Sequence, residues 1–166
     1  FFDNGVAVQL QSGYLGSPDP DAPGSNSTWD DFLGLCRNYR PDRPFDSIII
    51  SIPARAFLQA DSQGQLDLAA RAKAIHRRLW LAQNRLALRF PVYLAIADCE
   101  SIPGFATFAA ALPEPIRRSI LGWSSPHELV APFQGQWVDA AMNEMVRSLA
   151  DSCAELCALE AADSDS

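Results

Sequence analysis

Residues 45–52 read FDSIIISI and residues 90–97 read FPVYLAIA, and these two runs decide the fold. Each is an apolar segment of strand length. Pro44 and Pro53 bound the first, and Pro91 stands at the start of the second, where a missing N–H does least harm to a ladder. Continuous apolar runs, as opposed to alternating ones, belong to strands covered on both faces, the pattern of a parallel sheet. Both strands are therefore expected to be buried. Between them, Leu68, Ala72, Ile75, Leu79, Ala82 and Leu86 step by 4, 3, 4, 3 and 4 residues, which predicts an amphipathic helix over 63–88. Ser62 and Gln65 have the spacing of a capping box. Strand, helix, strand in this order is a parallel crossover unit.

Working outward, Trp29, Phe32, Leu33 and Cys36 form one helical face. Thr28 is placed to cap that helix, with Asp30 and Asp31 in its first turn. Pro41 and Pro44 predict its end by Tyr39. Residues 12–28, SGYLGSPDPDAPGSNST, read as a loop, because proline and glycine block regular pairing. Ahead of it, GVAVQLQ at 5–11 alternates like a strand with one better-buried face. Downstream, a short helix is expected over 103–112 and a short strand at 119–124 (SILGWS). A final helix over 134–159 carries the stripe Val138, Met142, Met145, Leu149, Cys153 and Leu156. Residues 160–166 read as a frayed acidic tail. The alternation gives an α/β class with a three-layer parallel sheet, as a single domain over 1–159. Ligands in such sheets sit beyond the carboxyl ends of the strands, which directs attention to residues 9–14, 51–55 and 97–104.

The chain has 166 residues, 48% apolar and 20% charged, ordinary globular proportions that exclude wholesale disorder. Thirteen Lys and Arg against 20 Asp and Glu give a net charge of −7, which argues against non-specific nucleic-acid binding. No apolar run approaches the roughly 20 residues of a membrane helix, and no signal peptide is visible. The first residue is Phe1, so the sequence reads as a piece of a longer protein, and a membrane anchor elsewhere in that parent is compatible with it. The four cysteines form no CxxC pair. Cys153 and Cys157, one turn apart, could be two metal ligands, but without a neighbouring His or further Cys they read better as small apolar residues. His76, beside Arg77 and Arg78, reads as an exposed helix histidine, and neither it nor His127 has an evident nucleophile partner. HExxH, GxSxG and the phosphate loop GxxxxGK[ST] are all absent from the sequence.

The stretches WDDFLGLCRNYRPDRPFDSIIISIP (29–53) and RRLWLAQNRLALRFPVYLAIADCESIPGF (77–105) resemble the cytoplasmic GTPase-like domain of the IcmF/TssM family, large inner-membrane proteins of type VI secretion systems. YRPDRP at 39–44, with FPVYL at 90–94 and PGF at 103–105, carries the likeness, in order and at the right separation. It covers about two-thirds of the chain and thins beyond Gly122. The resemblance implies a truncated Ras-like, P-loop GTPase-type fold lacking its phosphate loop. It also places the family's nucleotide motifs. The phosphate-sensing D-T-A-G-R-Y falls on 9–14, so Gln9, Leu10, Gln11 and Ser12 stand where a magnesium-directing aspartate and a γ-phosphate glycine are expected. The base-reading T-K-x-D falls on Ala97, Asp98, Cys99 and Glu100. An acid replaces the lysine, and the guanine-binding carboxylate is one methylene longer.

A glutamine cannot supply the charge a hard Mg²⁺ prefers, and Asp98 would repel a polyanion. No catalytic residue, cofactor or metal is therefore expected. In Ras-like sheets the phosphate-loop strand lies between the first and second strands seen here. Either 5–11 pairs directly with 45–52, or a segment outside the chain supplies the missing strand.

The resemblance implies a non-catalytic scaffold or interaction domain of a type VI secretion membrane-complex component, on the cytoplasmic face of the inner membrane. Its partners would be membrane-complex and baseplate proteins, with neither nucleic acid nor direct membrane insertion involved. The surfaces expected to dock them are the loop with Arg37, Arg40 and Arg43 and the helix face with Arg71, Lys73, Arg77 and Arg78. The plainer reading of that helix face is solvated charge. Two alternatives carry their own signatures. A nucleotide-dependent switch would have its phosphate loop upstream of residue 1. A small hydrolase using Asp98 and Glu100 would enclose them in a pocket.

Overall fold

The computed structural model describes residues 5–10, 25–58, 61–118 and 121–164, in two compact units, Phe1–Ala97 and Asp98–Ser166. The first unit holds helix α1 (Ser25–Tyr39), strand β1 (Ile48–Pro53), the single turn α2 (Arg55–Leu58), the long helix α3 (Ser62–Leu86) and strand β2 (Val92–Ala97). The strands pair in parallel, Ile48 opposite Val92 through Pro53 opposite Ala97. Ile48 N–H donates to the Pro91 carbonyl at 3.1 Å, and Ala54 N–H to the Ala97 carbonyl at 2.7 Å, so the ladder is closed at both ends.

The core of this unit lies between α1, α3 and the segments leading into the strands. Trp29, Leu33, Ala82 and Phe90 are its buried members. Phe32, Phe45, Ile48, Leu79, Leu86, Leu88 and Leu10 pack around them. Phe45 and Phe90 meet edge to face with ring centroids 4.7 Å apart, so the first residue of each apolar run, a few positions ahead of its strand, anchors both to the core. Each fully buried large side chain contributes about 1.5–3 kcal/mol. The i, i+3, i+4 face of α1 is the one expected, and α1 ends at Tyr39 as the prolines require. It begins at Ser25, three residues before Thr28, which moves Asp30 and Asp31 out of the first turn. Serine and asparagine are residue types that helix starts favour.

Other expectations are corrected. The three-layer sheet is represented among the described residues by two strands. Residues 6–10 form no ladder, and only Gly5 bridges. Val6 and Val8 are exposed, because no strand among the described residues lies beside this alternating segment, which then gains nothing from extension. Gln11 and the 12–28 loop up to residue 24 lie outside the described residues. The strands are not buried on both faces: Ile49 is 67% and Leu94 63% exposed, because so narrow a sheet presents faces that the described helices do not cover.

The cap of α3 is Asp61 and not Ser62. Its side chain accepts the Gly64 N–H at 2.8 Å, with an extended backbone at φ −64° and ψ −177°. A short carboxylate just outside the first turn takes the Gly64 N–H, and the Gln65 N–H that a Ser62 capping box would use donates to the Asp61 carbonyl at 2.9 Å.

The second unit holds a 3₁₀ turn (Cys99–Ser101), α4 (Phe105–Ala111), α5 (Glu114–Arg117) and α6 (Gln136–Ser164). The short helix starts later than expected because Gly104, at φ 83°, sets its N-terminus. Leu121–Ser124 form no strand, and residues 119 and 120 lie outside the described set. Helix α6 runs to Ser164, past the expected end at 159, since Glu160, Ala161 and Ala162 are good helix formers. His127 stacks on Trp137 at 4.1 Å, and Phe133 meets Trp137 edge-on at 5.9 Å, which pins the loop before α6 onto its first turn. Among the described residues, no helix is long and apolar enough to cross a membrane.

Candidate functional site

The two nucleotide-motif segments are placed as follows. Gln9 is exposed on the unpaired stretch 6–10, while Leu10 turns onto the core cluster. Gln11 and Ser12 lie outside the described residues. Ala97 ends β2, and its carbonyl is taken by Ala54 N–H, so β1 and β2 finish side by side. Asp98 then adopts the left-handed conformation, φ 53° and ψ 38°, which aspartate tolerates better than most residues. Its carbonyl accepts the Ser101 N–H at 3.0 Å, and Cys99 accepts the Ile102 N–H at 2.9 Å. The loop after β2 is thus a tight turn closed by two backbone hydrogen bonds. Asp98 and Glu100 are both exposed and Cys99 is half-buried. Exposure of both carboxylates does not support the paired-acid hydrolase, which needs them enclosed. Among the described residues no group of three or more His, Cys, Asp or Glu could hold a metal ion. Cys153 and Cys157 are exposed free thiols, not the packed residues expected.

The arginine loop is differently built. Arg40 Nη1 lies 2.8 Å from Asp46 Oδ2, and Arg43 Nε lies 2.9 Å from Asp46 Oδ1. One carboxylate gathers both arginines of YRPDRP and folds the loop around itself, with Pro44 buried beneath. The Arg40 hydrogen bond, aided by the charges of Arg40 and Arg43, holds the Asp46 carboxyl below its ordinary range. Sequence reasoning passed over Asp46. The signal was available in an acid two residues beyond the RPDRP run. Arg37 is exposed on the last turn of α1.

On α3 the four basic candidates divide. Arg71, Lys73 and Arg77 are exposed, but Arg78 is only 3% exposed. Burial lowers the Arg78 pKa, opposed by the charge of Asp30 on α1. Arg78 is therefore a structural residue inside the α1–α3 contact and no part of a docking face. Spacing alone could not show this, because a long arginine stem packs like an apolar residue while its head seeks an anion. Ala72, Lys73, His76, Arg77 and Trp80 line a shallow open groove along the outer side of α3.

Comparison with known proteins agrees with the resemblance carried by these segments. The family model described as the IcmF-related N-terminal domain matches residues 23–166. The chain is 29% identical over 122 residues to the type VI secretion system component TssM1 of Pseudomonas aeruginosa. That alignment takes in 74% of this chain and 11% of the relative. No solved structure matches. With the family model spanning most of its length, the chain belongs to the IcmF/TssM family, in the region of that family's N-terminal domain.

Proposed function

We propose that this chain is a non-catalytic interaction domain of a type VI secretion component, a truncated Ras-like fold whose nucleotide motifs have been lost. The carrying observation is the loop after β2. Where a base-reading loop needs a lysine against the nucleotide and an aspartate for the base, this chain presents exposed Asp98 and Glu100 on a closed turn. Two carboxylates repel a nucleotide polyphosphate, and Gln9 offers no charge to a magnesium ion. Such a domain acts by binding other components of the system at the cytoplasmic face of the inner membrane. Its faces for this are the exposed cations of α3 and Arg37. Arg40 and Arg43 serve first to fold their own loop.

Calorimetric titration with GTP, GDP and ATP in the presence of Mg²⁺ tests the reading. No saturable heat is expected. Micromolar binding would favour the nucleotide-dependent switch, with a phosphate loop contributed from upstream of residue 1.

A further inference from the structure

Helix α3 turns two different faces outward and inward. Inward are Ala74, Arg78 and Ala82. At 100° per residue, Leu66, Lys73, Arg77 and Trp80 all fall within about 40° of the point opposite Ala82. Leu66 is 64% and Trp80 56% exposed. Small side chains, Ala69 and Ala70, lie between them. The face carries no acid, because the only carboxylate on this helix, Asp67, lies to the side, where the Gln63 amide binds it at 3.0 Å. Among the described residues Lys73 and Arg77 make no ion pair, whereas Arg40, Arg43, Arg85, Arg118 and Arg147 each have a carboxylate partner. A basic, aromatic stripe on a chain of net charge −7 is a local reversal of sign. Core packing explains neither the exposed indole nor the two unpaired cations.

We infer that this outer face of α3 receives an acidic amphipathic helix of a partner protein. The stripe from Leu66 to Trp80 is about 21 Å long, roughly four helical turns. Alanines between larger residues make the grooves that a second helix's ridges enter. Lys73 and Arg77, one turn apart, match carboxylates at i and i+4 on the incoming helix. Trp80 and Leu66 take its apolar residues, in the manner of a tryptophan anchor with charges at the rim. A membrane surface fits less well, since the chain's net negative charge opposes approach to anionic lipid. The inference rests on the interaction-domain reading. It is separable from it, because nucleotide titration fails or succeeds independently of what α3 binds.

The test uses the whole chain and an amidated helical peptide of about 18 residues, built from alanine, leucine and glutamate. Its glutamates stand four apart, with leucines one turn away. Saturable binding is expected, weakening as salt rises. Lys73→Glu with Arg77→Glu should raise the dissociation constant about tenfold or more. The shift in tryptophan emission on binding should vanish in Trp80→Phe. A matched peptide with lysine in place of glutamate should not bind. Circular dichroism checks that each variant is folded. Equal binding of the acidic peptide by the charge-reversed chain would overturn the inference. So would an emission shift produced by phosphatidylglycerol–phosphatidylethanolamine vesicles and not by the peptide.

Discussion

The Asp30 carboxylate on α1 lies 2.5 Å from Nη1 of Arg85 on α3 and also acts on Arg78, two turns earlier on the same helix. One acid therefore answers two guanidiniums, one half-exposed and one buried, and fixes how α1 lies on α3. Removing the acid leaves the buried Arg78 charge less compensated, which costs more than losing an exposed partner. Asp30→Ala is expected to destabilise by about 1–3 kcal/mol, and Arg85→Ala by less than about 1 kcal/mol. Urea unfolding of the two variants measures the difference. Equal losses would show that Arg78 does not depend on Asp30.

Leu33 is fully buried against Trp29, Ala82 and Phe90. Leu33→Ala should cost about 2–5 kcal/mol. The Trp29 indole N–H is buried without a hydrogen-bond partner among the described residues. Trp29→Phe removes that unpaired donor along with some volume, so it should be the milder change. Thermal melts rank the two, and the reverse order would mean that Trp29 Nε1 has a partner.

The ends of α3 give a third expectation. Asp61→Ala should cost about 0.5–2 kcal/mol, while Ser62→Ala should be nearly neutral. Ala87, at φ 51°, holds the left-handed position that glycine fills at helix ends, so Ala87→Gly should gain up to about 1 kcal/mol. A larger loss from Ser62→Ala than from Asp61→Ala would restore the capping box.

The YRPDRP loop gives a pH dependence. The folded-state pKa of Asp46 is depressed, chiefly by its hydrogen bond from Arg40. Its contribution is complete above the ordinary value of 3.8 and is lost as pH falls through the lower folded value. Because Asp46 is exposed, the effect should be local. Carboxyl carbon shifts in an acid titration should place the Asp46 midpoint below the ordinary value. Arg40→Ala should return it toward the ordinary value, and an unmoved midpoint would show that Arg40 does not hold it.

Periodicity made the helices legible. Trp29, Leu33 and Ala82 are core residues by spacing alone, and the prolines after Tyr39 place the end of α1. What spacing could not reach depends on three-dimensional neighbours. Ile49 belongs to a uniformly apolar run, yet it is exposed because burial requires a covering layer. Arg78 sits in a basic cluster, yet it is buried because Asp30 approaches from another helix. Asp61 outcompetes Ser62 because capping follows the backbone angle at the first turn, which residue type only suggests. At the candidate site, Gln9, Asp98 and Glu100 were identified by likeness to a family. The contribution of the structure is the closed turn at Asp98 and the gathering of Arg40 and Arg43 on Asp46.

We propose that the segments at Gln9 and at 97–100 hold no nucleotide. Titration of the chain with GTP and Mg²⁺, followed by amide chemical shifts of Gln9 and residues 97–101, tests it most directly. Unmoved resonances at millimolar nucleotide are predicted. Saturable shifts at Gln9 and Glu100 with a micromolar midpoint would contradict it.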